Sequence, residues 1–343
     1  MTTPDRKRTR LPGISSRAYE HPADRSALVG MRSLTGFDIV LRRLSGLFRE
    51  RSLRLMFLGS SVRVGDRQFR NIYDMVRDAA YILDLDEVPE LYVISDPRPN
   101  AMTLGSDKPF IVLTSGMIDL LDDAELRFCV SHEVGHVLSG HAVYRTMLYH
   151  LIRLAARVAW IPLGYIGIRA IVTALEEWER KSELSADRAG LLAGQDLQAA
   201  QRALMKTAGG SRLAEMDVEA FAEQAREYDA AGDVRDGLAK LLNLQGTTHP
   251  LAVVRLAELV HWADSGEYDA ILGGDYPRRA DDAQASVTDE VKAAARSYRD
   301  SWNRSSDPLI GTLRDVAGSA AGAGERIFGR FTGGGGGGRE PKS

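Results

Sequence analysis

His132-Glu133-Val134-Gly135-His136 and, further along, Glu183-Leu184-Ser185-Ala186-Asp187 are the two short segments that decide how this chain is read. On a helix, residues four apart stand one above the other on the same face. His132 and His136 can therefore aim two imidazoles at one point, where a tetrahedral Zn²⁺ accepts nitrogen ligands at about 2.0–2.1 Å. Glu133 projects beside that point, where a base for metal-activated water must stand.

Two histidines four apart also occur on ordinary amphipathic helices, so the surroundings matter. Leu121-Asp122-Asp123-Ala124-Glu125-Leu126 supplies acids for a first turn, with Asp122 or Asp123 as N-cap. Leu126, Cys129, Val130, Val134 and Val137 then recur at three- and four-residue intervals. The motif is expected inside a half-buried helix, the rigid support a metal site needs.

The third ligand separates two classes of zinc site. One takes a third histidine six residues after the second, with a glycine midway; here Ser139 and Ala142 stand at those positions. His141 is one position short, about 100° around the helix, and reads as a polar residue at the helix end. The other class takes a glutamate from a second helix, followed four residues later by an aspartate. Glu183 and Asp187 have that spacing within a helical stretch from Leu175 to Leu192. Asp187 would then accept a hydrogen bond from the far nitrogen of a ligand histidine, fixing its tautomer. The alternative is a plain charged helix face, since Glu176, Glu177, Glu179 and Arg180 are close by.

With these residues in view, the chain resembles the HtpX and CAAX-prenyl-protease family of zinc metallopeptidases, within the gluzincin group. The resemblance runs from about Tyr73 to Leu259. It includes Pro99-Asn100-Ala101-Met102, Ile111-Val112-Leu113-Thr114-Ser115-Gly116, the histidine helix, Glu183 to Asp187, and Thr248-His249-Pro250 with Arg255 downstream. It implies one Zn²⁺ per chain on His132, His136 and Glu183, with Glu133 as catalytic base and peptide-bond hydrolysis as the reaction. His249 matches a late family histidine and becomes a candidate donor to the oxyanion; a helix-start residue set by Pro250 is the other reading. The implied fold is α+β, mostly α: a zincin-like domain with a small sheet beside the histidine helix.

A substrate strand needs an edge to pair with. Asn100 to Gly105 and Phe110 to Thr114 read as a hairpin across Ser106-Asp107-Lys108-Pro109. Ala101, Met102, Thr103, Leu104 and Gly105 are the candidate pairing edge, with two ordinary core strands as the alternative.

The chain has 343 residues, 44% of them hydrophobic, ample for one sizeable core. Its net charge of −3 argues against general nucleic-acid binding. A single cysteine, Cys129, excludes an intrachain disulfide and suits a reducing cytoplasm; it falls on the histidine face and reads as a small buried residue. Met1 to Arg10 is basic and polar, without the apolar run of a secretory signal.

Residues 1–30 are read as a flexible or surface-hugging arm, 31–303 as the catalytic domain with its core at about 73–259, and 304–343 as a tail. The tail includes six consecutive glycines from Gly333 and cannot bury enough surface to order itself. Phe37, Val40, Leu41, Leu44, Leu47 and Phe48 form an apolar stripe opposed by arginines. Helices are expected at Ile72 to Leu83, 197–208, 217–230, 234–244, 250–263 and 288–302, and a strand at Leu91 to Ile94.

Met147 to Leu175 is rich in apolar residues, yet Arg153, Arg157 and Arg169 leave only eleven uncharged residues, Val158 to Ile168. A spanning helix wants about 20. A helical hairpin packed on the domain is expected, with shallow membrane docking as the alternative. The expectation is thus a cytoplasmic zinc endopeptidase acting on polypeptides. A membrane-surface protease acting on lipid-linked or misfolded membrane proteins, and a peptide-binding scaffold without catalysis, are the competing readings.

Overall fold

The computed structural model describes residues 8–32, 50–158, 162–230 and 252–284. In chain order these form α1 (Pro22–Arg32), α2 (Glu50–Ser60), β1 (Val62–Arg63), α3 (Arg70–Ile82), β2 (Glu90–Ile94), β3 (Ala101–Leu104) and β4 (Phe110–Thr114). There follow α4 (Ser115–Leu120), α5 (Asp123–Leu138), α6 (Ala142–Val158), α7 (Pro162–Gly194), α8 (Leu197–Gly209), α9 (Val218–Ala230), α10 (Ala252–Asp264) and α11 (Glu267–Leu272). The Phe37 to Phe48 stripe, the helices expected at 234–244 and 288–302, His249 and the glycine-rich tail lie outside the described residues.

The sheet has the order β1-β2-β4-β3, with β2 parallel to β4 and β3 antiparallel to it. β4 reads Phe-Ile-Val-Leu-Thr without polar alternation because both its faces are covered. Phe110 and Val112 pack with Leu53 and Phe57 of α2, while Ile111 and Leu113 join the main core with α3 and α5. The expected hairpin forms, with Ala101 opposite Leu113 and Leu104 opposite Phe110. Its turn is held by the Glu50 carboxylate, which accepts from the backbone N–H of Ser106 (3.0 Å), Asp107 (2.9 Å) and Lys108 (3.2 Å).

α5 starts at a capping box. Asp122 accepts from the N–H of Ala124 and Glu125, and the Glu125 carboxylate accepts from the Asp122 N–H. Glu125 is itself buried, paired with Arg202 (3.1 Å) and Lys206 (2.6 Å) of α8. The helix is not half-buried as its pattern suggests. Ser131 to His136 are all buried, because α5 is enclosed by the sheet, α3, α7 and α8.

α7 crosses α5 at very short range. A Cβ added to Gly135 would stand 2.5 Å from the Ala189 Cβ, so only glycine fits there. This contact brings Glu183 and Asp187 against the histidine pair. Further along, α6 and α7 form the expected helical hairpin: Tyr144, Met147, Leu148 and Leu151 pack on Val172, Leu175 and Trp178. Among the described residues no helix is long and apolar enough to cross a membrane.

The N-terminal segment departs from expectation. From residue 8 it is no loose arm: Leu11, Ile14 and Tyr19 are fully buried in the main core. Backbone pairing anchors it, with the Leu11 N–H on Ile82 O (2.8 Å) and the Arg279 N–H on Gly13 O (2.8 Å). Its prolines and charges suggested solvent, but those charges are answered one by one, as Arg10 is by Asp84 (2.5 Å).

Gly135→Ala should lower stability by about 1–3 kcal/mol through overpacking at the α5–α7 crossing. A denaturant melt of the variant checks this; an unchanged midpoint would mean that the crossing is loose enough to admit a methyl group.

Candidate metal centre

One turn apart on α5, His132 and His136 both turn Nε2 toward α7, with the two nitrogens 3.2 Å apart. Glu183 completes the group, Oε1 lying 3.2 Å from His136 Nε2 and Oε2 3.4 Å from His132 Nε2. A tetrahedron with arms of about 2.0–2.1 Å has edges of about 3.3–3.4 Å, so these donors already stand at the corners of a zinc-sized face. All three residues are buried, and among the described residues they are the set that could hold a metal ion. The chemistry of the set, two imidazoles and a carboxylate, fits a divalent transition metal.

Each donor is held from behind. Asp187 Oδ1 accepts from His132 Nδ1 at 2.9 Å, and Arg255 of α10 grips Asp187 with two bonds, Nε to Oδ2 (2.7 Å) and Nη2 to Oδ1 (2.6 Å). The third nitrogen of the same guanidinium lies 3.1 Å from Glu183 Oε2. On the other side Arg145 of α6 donates to Glu183 Oε1 at 2.9 Å and also to His136 Nε2. A cationic group thus already stands at the nitrogen that a metal would use.

Burial and the Arg145 guanidinium hold His136 well below the usual histidine range. Burial pushes Glu183 up, yet Arg255, His132 and Arg145 outweigh it and keep the carboxyl well below the usual carboxylate range. Burial alone would lower His132, but Glu183 and Asp187 outweigh it and raise its pKa to about 9.

Glu133 stands beside the group without joining it. Its Oε1 is 3.9 Å from His132 Nε2, and its Oε2 accepts from the Thr103 hydroxyl at 2.6 Å. Thr103 comes from β3, the strand at the sheet edge next to α5. A cleft opens beside His132 and Glu133, walled by Met117, Phe128, Leu204 and Arg255.

A family model described as Peptidase family M48 matches residues 66–263. The chain belongs to peptidase family M48. It is 36% identical over 261 residues to the plastoglobule-localized metallopeptidase 48, chloroplastic, of Arabidopsis thaliana, covering 74% of each chain. It is 25% identical over 266 residues to a protease HtpX homolog of Ralstonia nicotianae, covering 70% of this chain and 90% of the relative. A shorter match, 37% identical over 67 residues, links it to a protease HtpX homolog of Tropheryma whipplei, covering 19% of this chain and 23% of the relative. No solved structure matches it. The chain is therefore a metallopeptidase whose family implies a metal and a polypeptide substrate.

His141 stands just past the end of α5, as expected of a polar residue at the helix end, but is buried, with its Nδ1 3.0 Å from His136 Nδ1. Thr103, read as part of a substrate edge, turns its side chain inward to Glu133. The Gly105 N–H is not free for a substrate, because it donates to Thr146 Oγ1 at 2.7 Å. Ala101 and Leu104 are buried and Met102 is half-buried. Cys129 is half-buried on the cleft wall. Arg145 escaped the sequence reading altogether, since nothing marks one arginine among many until the α6–α7 crossing is known.

The pH dependence of metal uptake follows from these charges. Glu183 is ionised and His136 neutral near pH 7, so one proton, on His132, must leave when a metal binds. Because the His132 pKa is raised, affinity is lost as pH falls below about 9. Zinc affinity should rise roughly tenfold per pH unit between about pH 6 and 8, with about one proton released per metal. Calorimetry in buffers of different ionisation enthalpy measures that proton; affinity independent of pH would reject this charge state.

Proposed function

We propose that this M48 peptidase is a zinc-dependent metalloendopeptidase, with Zn²⁺ on His132, His136 and Glu183 and Glu133 as general base. The reading is carried by one observation: a three-donor group of tetrahedral spacing stands 3.9 Å from a carboxylate that is not part of it. When bound, Zn²⁺ would supply Lewis acidity to the scissile carbonyl and bring the ionisation of water near neutral pH.

The chain's own residues do the rest. Glu133 takes a proton from the attacking water at Oε1, while Thr103 holds Oε2 and so fixes the plane of the carboxylate. The same carboxyl then delivers the proton to the leaving amine. Asp187 and Arg255 keep His132 in the tautomer that leaves Nε2 free. His249, by its match to the family histidine, is our candidate donor to the developing oxyanion. The edge strand β3 remains our candidate for substrate pairing, through the backbone of Ala101 to Leu104. A scaffold kept only for binding peptides has no use for a threonine hydroxyl committed to Glu133.

Glu133→Gln should retain stoichiometric zinc and lose about 10²–10⁴-fold in peptide hydrolysis. Metal analysis paired with a casein assay, with and without chelator, measures both; wild-type cleavage by that variant would sink the mechanism.

We assign the chain to the cytoplasm with at most peripheral membrane contact. A lipid surface is the second reading, favoured by the plastoglobule location in one relative's name. Any membrane-bound share should be released by high salt in cell fractionation, and retention through salt and carbonate would overturn the assignment.

A further inference from the structure

Arginine donates hydrogen bonds and cannot accept them. The Arg145 contact therefore requires a lone pair on His136 Nε2, and the neutral His136 ring must carry its proton on Nδ1. That proton points at His141 Nδ1, 3.0 Å away, which must accept it. A neutral His141 then carries its own proton on Nε2, which lies 3.2 Å from Asp24 Oδ2. A line of close polar contacts thus runs from the metal-facing nitrogen of His136 to a carboxylate on α1, its last step the 3.2 Å approach of His141 Nε2 to Asp24.

Asp24 is fully buried, and its Oδ1 has no hydrogen-bond partner among the described residues. An unpaired buried carboxylate oxygen is costly and calls for a reason. Its other oxygen explains the placement. Oδ2 also accepts from the Ser185 hydroxyl at 2.6 Å, and Ser185 stands between Glu183 and Asp187 on α7. The Ser185 oxygen in turn accepts from the His21 N–H at 2.9 Å. Trp178 packs edge-on against His141 with centroids 5.4 Å apart, closing one side of that ring.

We infer that His141 and Asp24 are positioning residues for the metal centre, His141 fixing the tautomer and plane of His136, and Asp24 fixing those of His141. They do for His136 what Asp187 and Arg255 do for His132. Asp24 lies outside residues 66–263, so the buried N-terminal segment would be a working part of the site. This rests on the reading of His132, His136 and Glu183 as metal ligands.

The test measures zinc affinity on the full-length protein by competition with a chromophoric chelator, beside the melting temperature of each metal-free variant. His141→Phe keeps the ring and removes the acceptor; it should weaken zinc about 10–100-fold, the usual cost of losing such a partner. Asp24→Ala should do the same. His141→Asn, whose amide oxygen falls near the position of Nδ1, should recover most of the loss. The Co²⁺-substituted wild type and His141→Asn should share one visible spectrum from which His141→Phe departs.

Wild-type zinc affinity in folded His141→Phe or Asp24→Ala would overturn the inference while leaving the ligand set standing. So would a His141→Asn variant no better than His141→Phe at equal melting temperature. If His141→Phe does not fold, Asp24→Ala and His141→Asn carry the same comparison. Failure of the wild type to take up zinc would overturn both the inference and the reading beneath it.

Discussion

Everything at this site depends on how closely α5 and α7 approach. Helices commonly pack with axes 8–10 Å apart, a distance set by the side chains between them. At this crossing the side chains are a hydrogen atom and a methyl group, Gly135 against Ala189. The approach lets a carboxylate of ordinary length reach two imidazole nitrogens at once. With the sheet, α3 and α8 enclosing the other sides of α5, its polar residues must find partners inside the protein rather than in water.

Those partners form a charge arrangement of low tolerance. Glu183 and Asp187 face two guanidinium groups, Arg145 and Arg255, and all four side chains are buried. Carboxylates in such a place survive only with cations beside them. Arg255 serves two at once, which couples the position of the Glu183 donor to that of the Asp187 acceptor. Arg145 of α6 reaches His136 and Glu183 from one side, while Arg255 of α10 reaches Glu183 and Asp187 from the other.

Much of this was legible in the chain. Asp122 and Glu125 announce the start of α5, the spacing of His132 and His136 gives their common face, and Glu183 with Asp187 identifies the second helix. The hairpin at Ala101 to Thr114 follows from two apolar runs and a proline-bearing turn. What escaped depends on contacts between residues far apart in sequence. Residues 8–24 look like solvent-facing sequence because their charges are answered by Asp84 and Asp282, which no local pattern connects to them. His141 lies off the spacing of known ligand patterns, and its use appears only once Asp24 is seen behind it. Glu183 and Asp187 could equally have belonged to a charged surface helix; they are buried against Arg145 and Arg255, which come from two other helices.

The closure of the N-terminal segment against the far end of the described chain has a kinetic side. Ser15 bonds Asp282, 267 residues away, and Arg279 bonds Gly13 across a similar gap. Contacts of such span form late, because loop closure must precede them. During synthesis Glu183 and Asp187 leave the ribosome well before Arg255, and until it arrives two buried carboxylates lack their shared cation. The histidine helix can form early, but its surroundings cannot be finished. A protease built in this order stays incomplete while its own chain is still exposed and vulnerable to cleavage.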